Sequence, residues 1–434
     1  MKSQKINNGL VGIVKIPGDK SISHRSIIIP AISNGISEVS NILISEDVNN
    51  TIKAFELMNV KIKKFKKKIK IYGKGLDSLK KPKKDIYLGN SGTSARLLIG
   101  LLSAQSFDCL LTGDKSLSKR PMKRITNPLQ LMNARFKTNK GKLPIKIYGT
   151  VLLNKDHKIK IPSAQIKSGL LLAALNTKGE TVITEENITR DHTEKMLKSF
   201  GANIKIKKIN KKNKISIIGK KELKAKNIFV PSDLSSSAFF IIAALINKKS
   251  KIKLNQINLN PTRDGILRAL KKMGGNIKIT NKKTINDEVV GDIIVQSSEL
   301  VGCTLNKSMA KLMIDEYPIL SVAAAFAKSP SIFKGLGELR VKESDRLELI
   351  RLNLNRCGFY CKITNDDLYI DPNKKSKIQN NKIKTNFDHR IAMAFAVMGS
   401  KIGNLVIEQS ECISTSFPSF VNQFNKVGGN IIEK

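Results

Sequence analysis

The chain has 434 residues, 41% of them hydrophobic, no tryptophan, and a formal charge of +42 from 77 Lys and Arg against 35 Asp and Glu. That length exceeds one ordinary core and points to two domains, while the longest apolar runs, such as Ala238 to Ile246, fall well short of the ~20 residues a membrane helix needs. Five scattered cysteines and four histidines without metal-ligand spacing exclude a disulfide framework and a zinc motif, so neither a metal nor a cofactor is expected.

Residues 1–19 read as a strand whose apolar run is interrupted by Gly12 and Lys15; no secretory signal is apparent, so a cytoplasmic protein is expected. Next comes PGDKSISHRSIIIP, Pro17 to Pro30, where a strand should meet a helix and where Gly18, Lys20, Ser21, Ser23 and Arg25 cluster. Ser21 or Ser23 is expected to cap the helix; the unpaired N–H groups of its first turn, with Lys20 and Arg25, then outline an anion site. A capped amphipathic helix with two solvated basic residues is the plainer alternative. A Walker loop is excluded, because Asp19 separates Gly18 from Lys20 and Gly12 lies too far back.

The same design recurs. A polar segment followed by an unusually apolar helix occurs six times: PGDKSISHRSIIIPAIS from Pro17, GNSGTSARLLIGLLSA from Gly89, PSAQIKSGLLLAAL from Pro162, PSDLSSSAFFIIAALI from Pro231, DEYPILSVAAAFA from Asp315 and NFDHRIAMAFAVMG from Asn386. Starts are spaced by roughly seventy to eighty residues, the scale of one supersecondary unit. A second, more amphipathic helix follows in each copy and ends in a pattern such as LKSFGANI or LKKMGGNI. Each unit is therefore strand, buried helix, strand, amphipathic helix, strand, strand. Helices such as LLIGLL have no polar face and must be enclosed by their own sheets. Lysine-rich segments such as Val60 to Gly73 and Asn203 to Gly219 alternate with Ile, Phe and Tyr, the pattern of solvated strand faces. That distribution favours small anionic substrates over nucleic acid as the partner of so basic a chain. Six units in two domains give three each: residues 20–230, and residues 231–434 completed by the strand in 1–19, with the boundary where Pro231 restricts Val230.

Each buried helix is expected to begin beside the space between the domains, and the residues there are anion binders or titratable groups: Lys20, Ser21, Arg25, Asn90, Gly92, Thr93, Arg96, Ser163, Gln165, Asp315, His389 and Arg390. Helix dipoles and Arg forks converging in this way suit phosphate and carboxylate; capping alone explains the individual Ser and Asp residues but not the basic ones. Three more stretches open second helices: KRPM with Lys119 and Arg120, TRDHTE with Arg190, and LRVKESDR with Arg340, Lys342, Glu343, Asp345 and Arg346. A helix beginning near Glu343 would set Lys342 and Arg346 four residues apart on one face, with Glu343 close by for proton transfer.

Through GDKSISHR, LGNSGTSAR, KRP, SAQIKS, DEYP, LRVKESDR and DHRIAM, taken in order, the chain resembles the 5-enolpyruvylshikimate-3-phosphate (EPSP) synthases of the enolpyruvyl transferase family over essentially its whole length. The resemblance implies a two-domain inside-out α/β barrel, each domain made of three βαβαββ units with buried helices and outer sheets, closing on its substrates as a monomer. It implies that shikimate 3-phosphate contacts Lys20, Ser21, Arg25, Ser163, Gln165, Asp315 and Lys342, and that phosphoenolpyruvate contacts Lys20, Gly92, Arg120, Gln165, Arg346 and Arg390. The shikimate 5-hydroxyl would attack C2 of phosphoenolpyruvate as C3 gains a proton, and the tetrahedral intermediate would expel phosphate. Asp315 is the expected base, with Glu343 and Lys20 as proton carriers.

There are departures. Ala164 stands where the better-known branch has a second Ser, His192 where that branch has an aromatic, and Thr415 where a phosphoenolpyruvate-binding Lys is expected. The rival reading is the sister enzyme acting on UDP-N-acetylglucosamine; it lacks the Asp-Lys-Ser…His-Arg run and uses a loop Cys, whereas Cys109 sits in the apolar FDCLL. A basic nucleic-acid-binding protein is the remaining alternative.

Overall fold

The computed structural model describes residues 1–66, 68–210, 212–376 and 381–433; Lys67 and Lys211, inside the two lysine-rich segments, lie outside them. Thirteen α-helices are described: α1 Lys20–Ala31, α2 Glu46–Leu57, α3 Gly92–Ser103, α4 Lys123–Gln130, α5 Ala164–Ala174, α6 His192–Ser199, α7 Leu234–Ile246, α8 Gly265–Lys272, α9 Lys307–Met313, α10 Tyr317–Ala325, α11 Arg346–Arg356, α12 His389–Ile402 and α13 Phe420–Lys426. They accompany six four-stranded sheets, the mixed α/β architecture expected of six repeated units.

The described chain divides into two compact units: an N-terminal one of residues 18–230 with 285–288, and a C-terminal one of residues 1–17, 231–284 and 289–434. In the second sheet of the N-terminal unit, Ile86–Tyr87 runs parallel to Cys109–Thr112, which pairs antiparallel with Lys142–Tyr148, and that with Arg135–Asn139. The parallel pair brackets α3, so the three elements form a βαβ crossover. The sheets around α5 and α10 repeat this order. Two lead strands are reassigned: Ile228–Phe229, just before α7, completes the sheet around α1, and Val11–Val14, just before α1, completes the sheet around α7.

Burial follows residue pattern. All thirteen residues of α7 are buried, as a helix with no charged face requires, and Phe240 packs at 5.7–5.9 Å from Phe417, Phe420 and Phe424. Helices α3 and α5 touch at Gly100 and Gly169, where a Cβ on Gly100 would stand 2.0 Å from the Gly169 carbonyl oxygen; only glycine permits that approach. In Lys142–Tyr148, Leu143, Ile145 and Ile147 are buried while Lys142, Pro144 and Lys146 are exposed, so the lysines do line solvated strand faces.

Two local expectations are corrected. Asp19, not Ser21 or Ser23, caps α1: its Oδ1 accepts the Ile22 N–H at 2.9 Å, and the helix starts at Lys20, which leaves both serines inside it. The helix after LRVKESDR begins at Arg346 rather than near Glu343, because the Asp345 carboxylate caps it through the Glu348 N–H at 3.0 Å. Lys342 and Glu343 therefore lie in the loop after the 3-10 turn Gly337–Val341. Helix α9, which follows Asn306, had no sequence counterpart in the sixfold pattern.

Candidate active site

In the N-terminal unit the polar starts of α1, α3 and α5 carry the site residues. The Lys20 ammonium pairs with the Asp47 carboxylate of α2, itself buried. Arg25, one turn on, is 3% exposed. Its Nε donates to Thr193 Oγ1 at 2.6 Å, its Nη2 to Ser168 Oγ at 2.8 Å and its Nη1 to the Ser21 carbonyl at 2.8 Å. His24 faces the other way: its Nδ1 lies 2.8 Å from Thr51 Oγ1 and 3.2 Å from Ser94 Oγ. Burial first, then the charges of Lys20 and Arg25, push its pKa well below the usual imidazole range, so the ring is neutral at physiological pH.

Ser91 caps α3 and Ser163 caps α5. Between them Arg96 donates to Gln165 Oε1 at 2.6 Å, and Gln165 Nε2 donates to Thr93 Oγ1 at 2.9 Å. Arg120, 7% exposed, donates to the Asn90 side-chain oxygen and to Ser116 Oγ. A Cβ on Gly92 would lie 2.9 Å from guanidinium nitrogens of both Arg96 and Arg120. The glycine thus leaves the space in which two Arg forks meet a helix N-terminus.

In the C-terminal unit, Arg346 is the hub. Its Nε donates to Asp388 Oδ2 at 2.8 Å, its Nη2 to Glu343 Oε2 at 2.5 Å and its Nη1 to Asp315 Oδ1 at 3.4 Å. Burial opposes its charge, but Asp388, Glu343 and Asp315 more than offset this and raise its pKa further. Lys342 Nζ reaches the same Asp315 oxygen at 3.1 Å, and Arg390 Nη1 donates to the Asp315 carbonyl at 3.1 Å. Asp388 also caps α12, accepting the Arg390 N–H at 2.9 Å. Asp315, Lys342, Glu343, Arg346 and Arg390 are therefore one cluster, although Lys342 and Glu343 reach it from a loop and not from a helix face.

Four partners escaped the sequence reading: Asp47, Thr193, Ser168 and Asp388. Asp388 carried a usable signal, an Asp directly before a buried helix; the others lie on helices whose contacts no local pattern reveals. Of the departures, Thr415 Oγ1 stands 3.4 Å from His389 Nδ1, and His192 Nδ1 lies 2.6 Å from Glu288 Oε1. Asp191, His192 and Glu288 could geometrically hold a metal ion. The Lys195 ammonium, however, sits 3.5 Å from Asp191 and 3.4 Å from Glu288, supplying the positive charge that a metal would bring. Cys109 lies buried in a strand, and burial pushes its thiol up to about 12, which does not suit a loop nucleophile or acid.

A sequence profile of EPSP synthase (3-phosphoshikimate 1-carboxyvinyltransferase) matches residues 4–424. The 3-phosphoshikimate 1-carboxyvinyltransferase of Ruthia magnifica subsp. Calyptogena magnifica is 46% identical over 429 residues, 98% of each chain. That of Hydrogenovibrio crunogenus is 42% identical over 425 residues, 97% of this chain and 95% of the relative. An EPSP synthase structure from Acinetobacter baumannii superposes with a TM-score of 0.86 at 41% identity, covering 98% of both chains. The enolpyruvyl transferase NikO of Streptomyces tendae shares the fold, with a TM-score of 0.79 at 14% identity. With a profile match across nearly all of its length and relatives this similar, the chain belongs to the EPSP synthase (3-phosphoshikimate 1-carboxyvinyltransferase) family.

Proposed function

We propose that the chain carries out EPSP synthesis with anion-holding residues drawn from both units and with its two proton-handling carboxylates, Asp315 and Glu343, in the C-terminal unit. The activity itself, a step of the shikimate pathway, follows from family membership and from relatives 42–46% identical over nearly the whole length. Phosphoenolpyruvate gives its enolpyruvyl group to the 5-hydroxyl of shikimate 3-phosphate, and phosphate leaves.

Shikimate 3-phosphate is held by Lys20, Ser21, Arg25, Ser163 and Gln165 with Asp315 and Lys342; phosphoenolpyruvate is held by Lys20, Gly92, Arg120 and Gln165 with Arg346 and Arg390. Two anions side by side repel, and preorganised cations offset that repulsion without reorganising during the reaction. Asp315 takes the proton of the 5-hydroxyl as its oxygen attacks C2. Glu343 and Lys20 deliver a proton to C3 in the addition; in the elimination they take a proton back from the C3 methyl as the C2–O bond to phosphate breaks and the C2=C3 double bond re-forms, and phosphate leaves with the proton that Asp315 took from the 5-hydroxyl. The observation that carries this reading is the sharing of one buried guanidinium, Arg346, by Asp315 and Glu343. It fixes two titratable carboxylates beside the cations that an anionic substrate needs.

Phosphate release from phosphoenolpyruvate, measured with and without shikimate 3-phosphate, tests the reaction. Release that requires both substrates is expected; release indifferent to shikimate 3-phosphate would overturn it.

A further inference from the structure

The TRDHTE segment stood out in the sequence, yet the reaction as assigned uses none of its residues. The structure gives one of them a task. Ser168 Oγ lies 2.6 Å from the Ala164 carbonyl oxygen and 2.7 Å from Thr193 Oγ1. A carbonyl only accepts, so the single Ser168 proton goes to Ala164, and the single Thr193 proton must then go to Ser168. Both hydroxyl oxygens remain acceptors for Arg25, Thr193 from Nε and Ser168 from Nη2. Every proton thus has one direction: Arg25 to Thr193, Thr193 to Ser168, Ser168 to the Ala164 carbonyl.

The chain of bonds ends at a meaningful place. Ala164 opens α5, between the capping Ser163 and Gln165, the two residues of that helix proposed to touch substrate. We infer that Thr193, acting through Ser168, is a positioning residue that sets the plane of the Arg25 guanidinium and its distance from the first turn of α5, and so tunes the site for an anionic group of shikimate 3-phosphate. Neither hydroxyl touches substrate. Both are buried, with Thr193 1% and Ser168 0% exposed, and both are neutral, so they orient the guanidinium without cancelling the charge that an anion must meet. Flanking ion pairs hold the two hydroxyls in place: Lys167, next to Ser168, pairs with Glu194, next to Thr193, at 2.6 Å.

This inference rests on the proposed role of Arg25 as a ligand of shikimate 3-phosphate, and the test separates the two. Steady-state constants for both substrates are measured on the parent, Thr193→Val, Thr193→Ser, Ser168→Ala and Arg25→Gln, with thermal unfolding to confirm that each is folded. Thr193→Val keeps the shape and deletes the acceptor of a charged donor, so the KM for shikimate 3-phosphate should rise about tenfold, while the KM for phosphoenolpyruvate stays at the parent value. Thr193→Ser, which retains the hydroxyl, should restore it. Ser168→Ala should reproduce the same selective loss, and it decides the matter if Thr193→Val does not fold. A parent-like KM for shikimate 3-phosphate in Thr193→Val and Ser168→Ala, or equal increases for both substrates, would overturn the positioning role. A parent-like value in Arg25→Gln would overturn the assignment of Arg25 itself, and the inference with it.

Discussion

The two units hold their basic side chains by different means. In the N-terminal unit Arg25, Arg96 and Arg120 donate hydrogen bonds to hydroxyls, amide oxygens and carbonyls. In the C-terminal unit Arg346 and Lys342 are oriented by the carboxylates of Asp315, Glu343 and Asp388. Neutral partners fix a guanidinium and leave its full charge to act on a bound anion. Carboxylate partners give up much of that charge but bring groups that exchange protons. The contrast suits a reaction that must hold two anions and also move protons. Lys20, the one residue of the N-terminal unit assigned to proton transfer, pairs with a carboxylate too, that of Asp47.

The largest expected effect strikes the proton-handling side. Asp315→Asn removes a titratable group while nearly keeping its shape, and should lower kcat by about 10²–10⁴-fold, the usual range for losing a general base. Rapid turnover in this variant would remove Asp315 from the chemistry and blur the contrast between the units.

Two further buried carboxylates of the N-terminal unit, Glu185 and Glu194, serve Lys167. Lys167 is fully buried and pairs with Glu185 at 2.9 Å and Glu194 at 2.6 Å. Burial opposes its charge, yet Glu194 and Glu185 raise its pKa, while burial pushes Glu185 up. Lys167→Met leaves two buried acids without their cation and should cost about 3–5 kcal/mol, the range for breaking a buried ion pair. Denaturant unfolding measures this; a loss below 1 kcal/mol would show that the acids simply take up protons.

Gly92→Ala sharpens the anion-holding side, because the added methyl meets the tips of Arg96 and Arg120 at 2.9 Å. These long side chains can yield, so an overpacking cost of about 1–3 kcal/mol is expected to show mainly as a higher KM for phosphoenolpyruvate. An unchanged KM would show that neither fork binds it.

The smallest effect is a pH slope from His24. Its folded pKa is depressed, so below the unfolded value of about 6.5 the unfolded chain binds a proton that the folded chain refuses. Stability is thus full above that pH and falls as pH drops through it, by about 1.4 kcal/mol per pH unit from this group. His157, also depressed by burial, contributes in the same direction. In unfolding curves between pH 7 and 5, His24→Asn should flatten the slope; an unaltered slope would mean that the ring is not kept neutral.

Much of the fold was legible because its signals are local. Six unusually apolar helices after six polar segments, with Lys alternating against Ile, specify buried helices and outer sheets whatever the packing details. Helix starts were legible only to within a turn: both Asp19 and Asp345 outcompete nearby serines and acids because an Asp directly before the helix accepts the first free N–H groups. At the site, the cations announced themselves by residue type and motif. What holds them did not, since Thr193, Ser168 and Asp47 meet Arg25 and Lys20 only after distant helices pack together, and a hydroxyl on a helix carries no mark of its partner.

The division of labour is tested most directly by calorimetric titration of shikimate 3-phosphate into Arg25→Gln and Glu343→Gln, with turnover of each measured alongside. Arg25→Gln should bind the substrate far more weakly than the parent. Glu343→Gln should bind it as the parent does and yet turn over about 10²-fold or more slowly. Weak binding in Glu343→Gln, or parent-like binding in Arg25→Gln, would contradict the assignment of Arg25 to substrate holding and of Glu343 to proton handling.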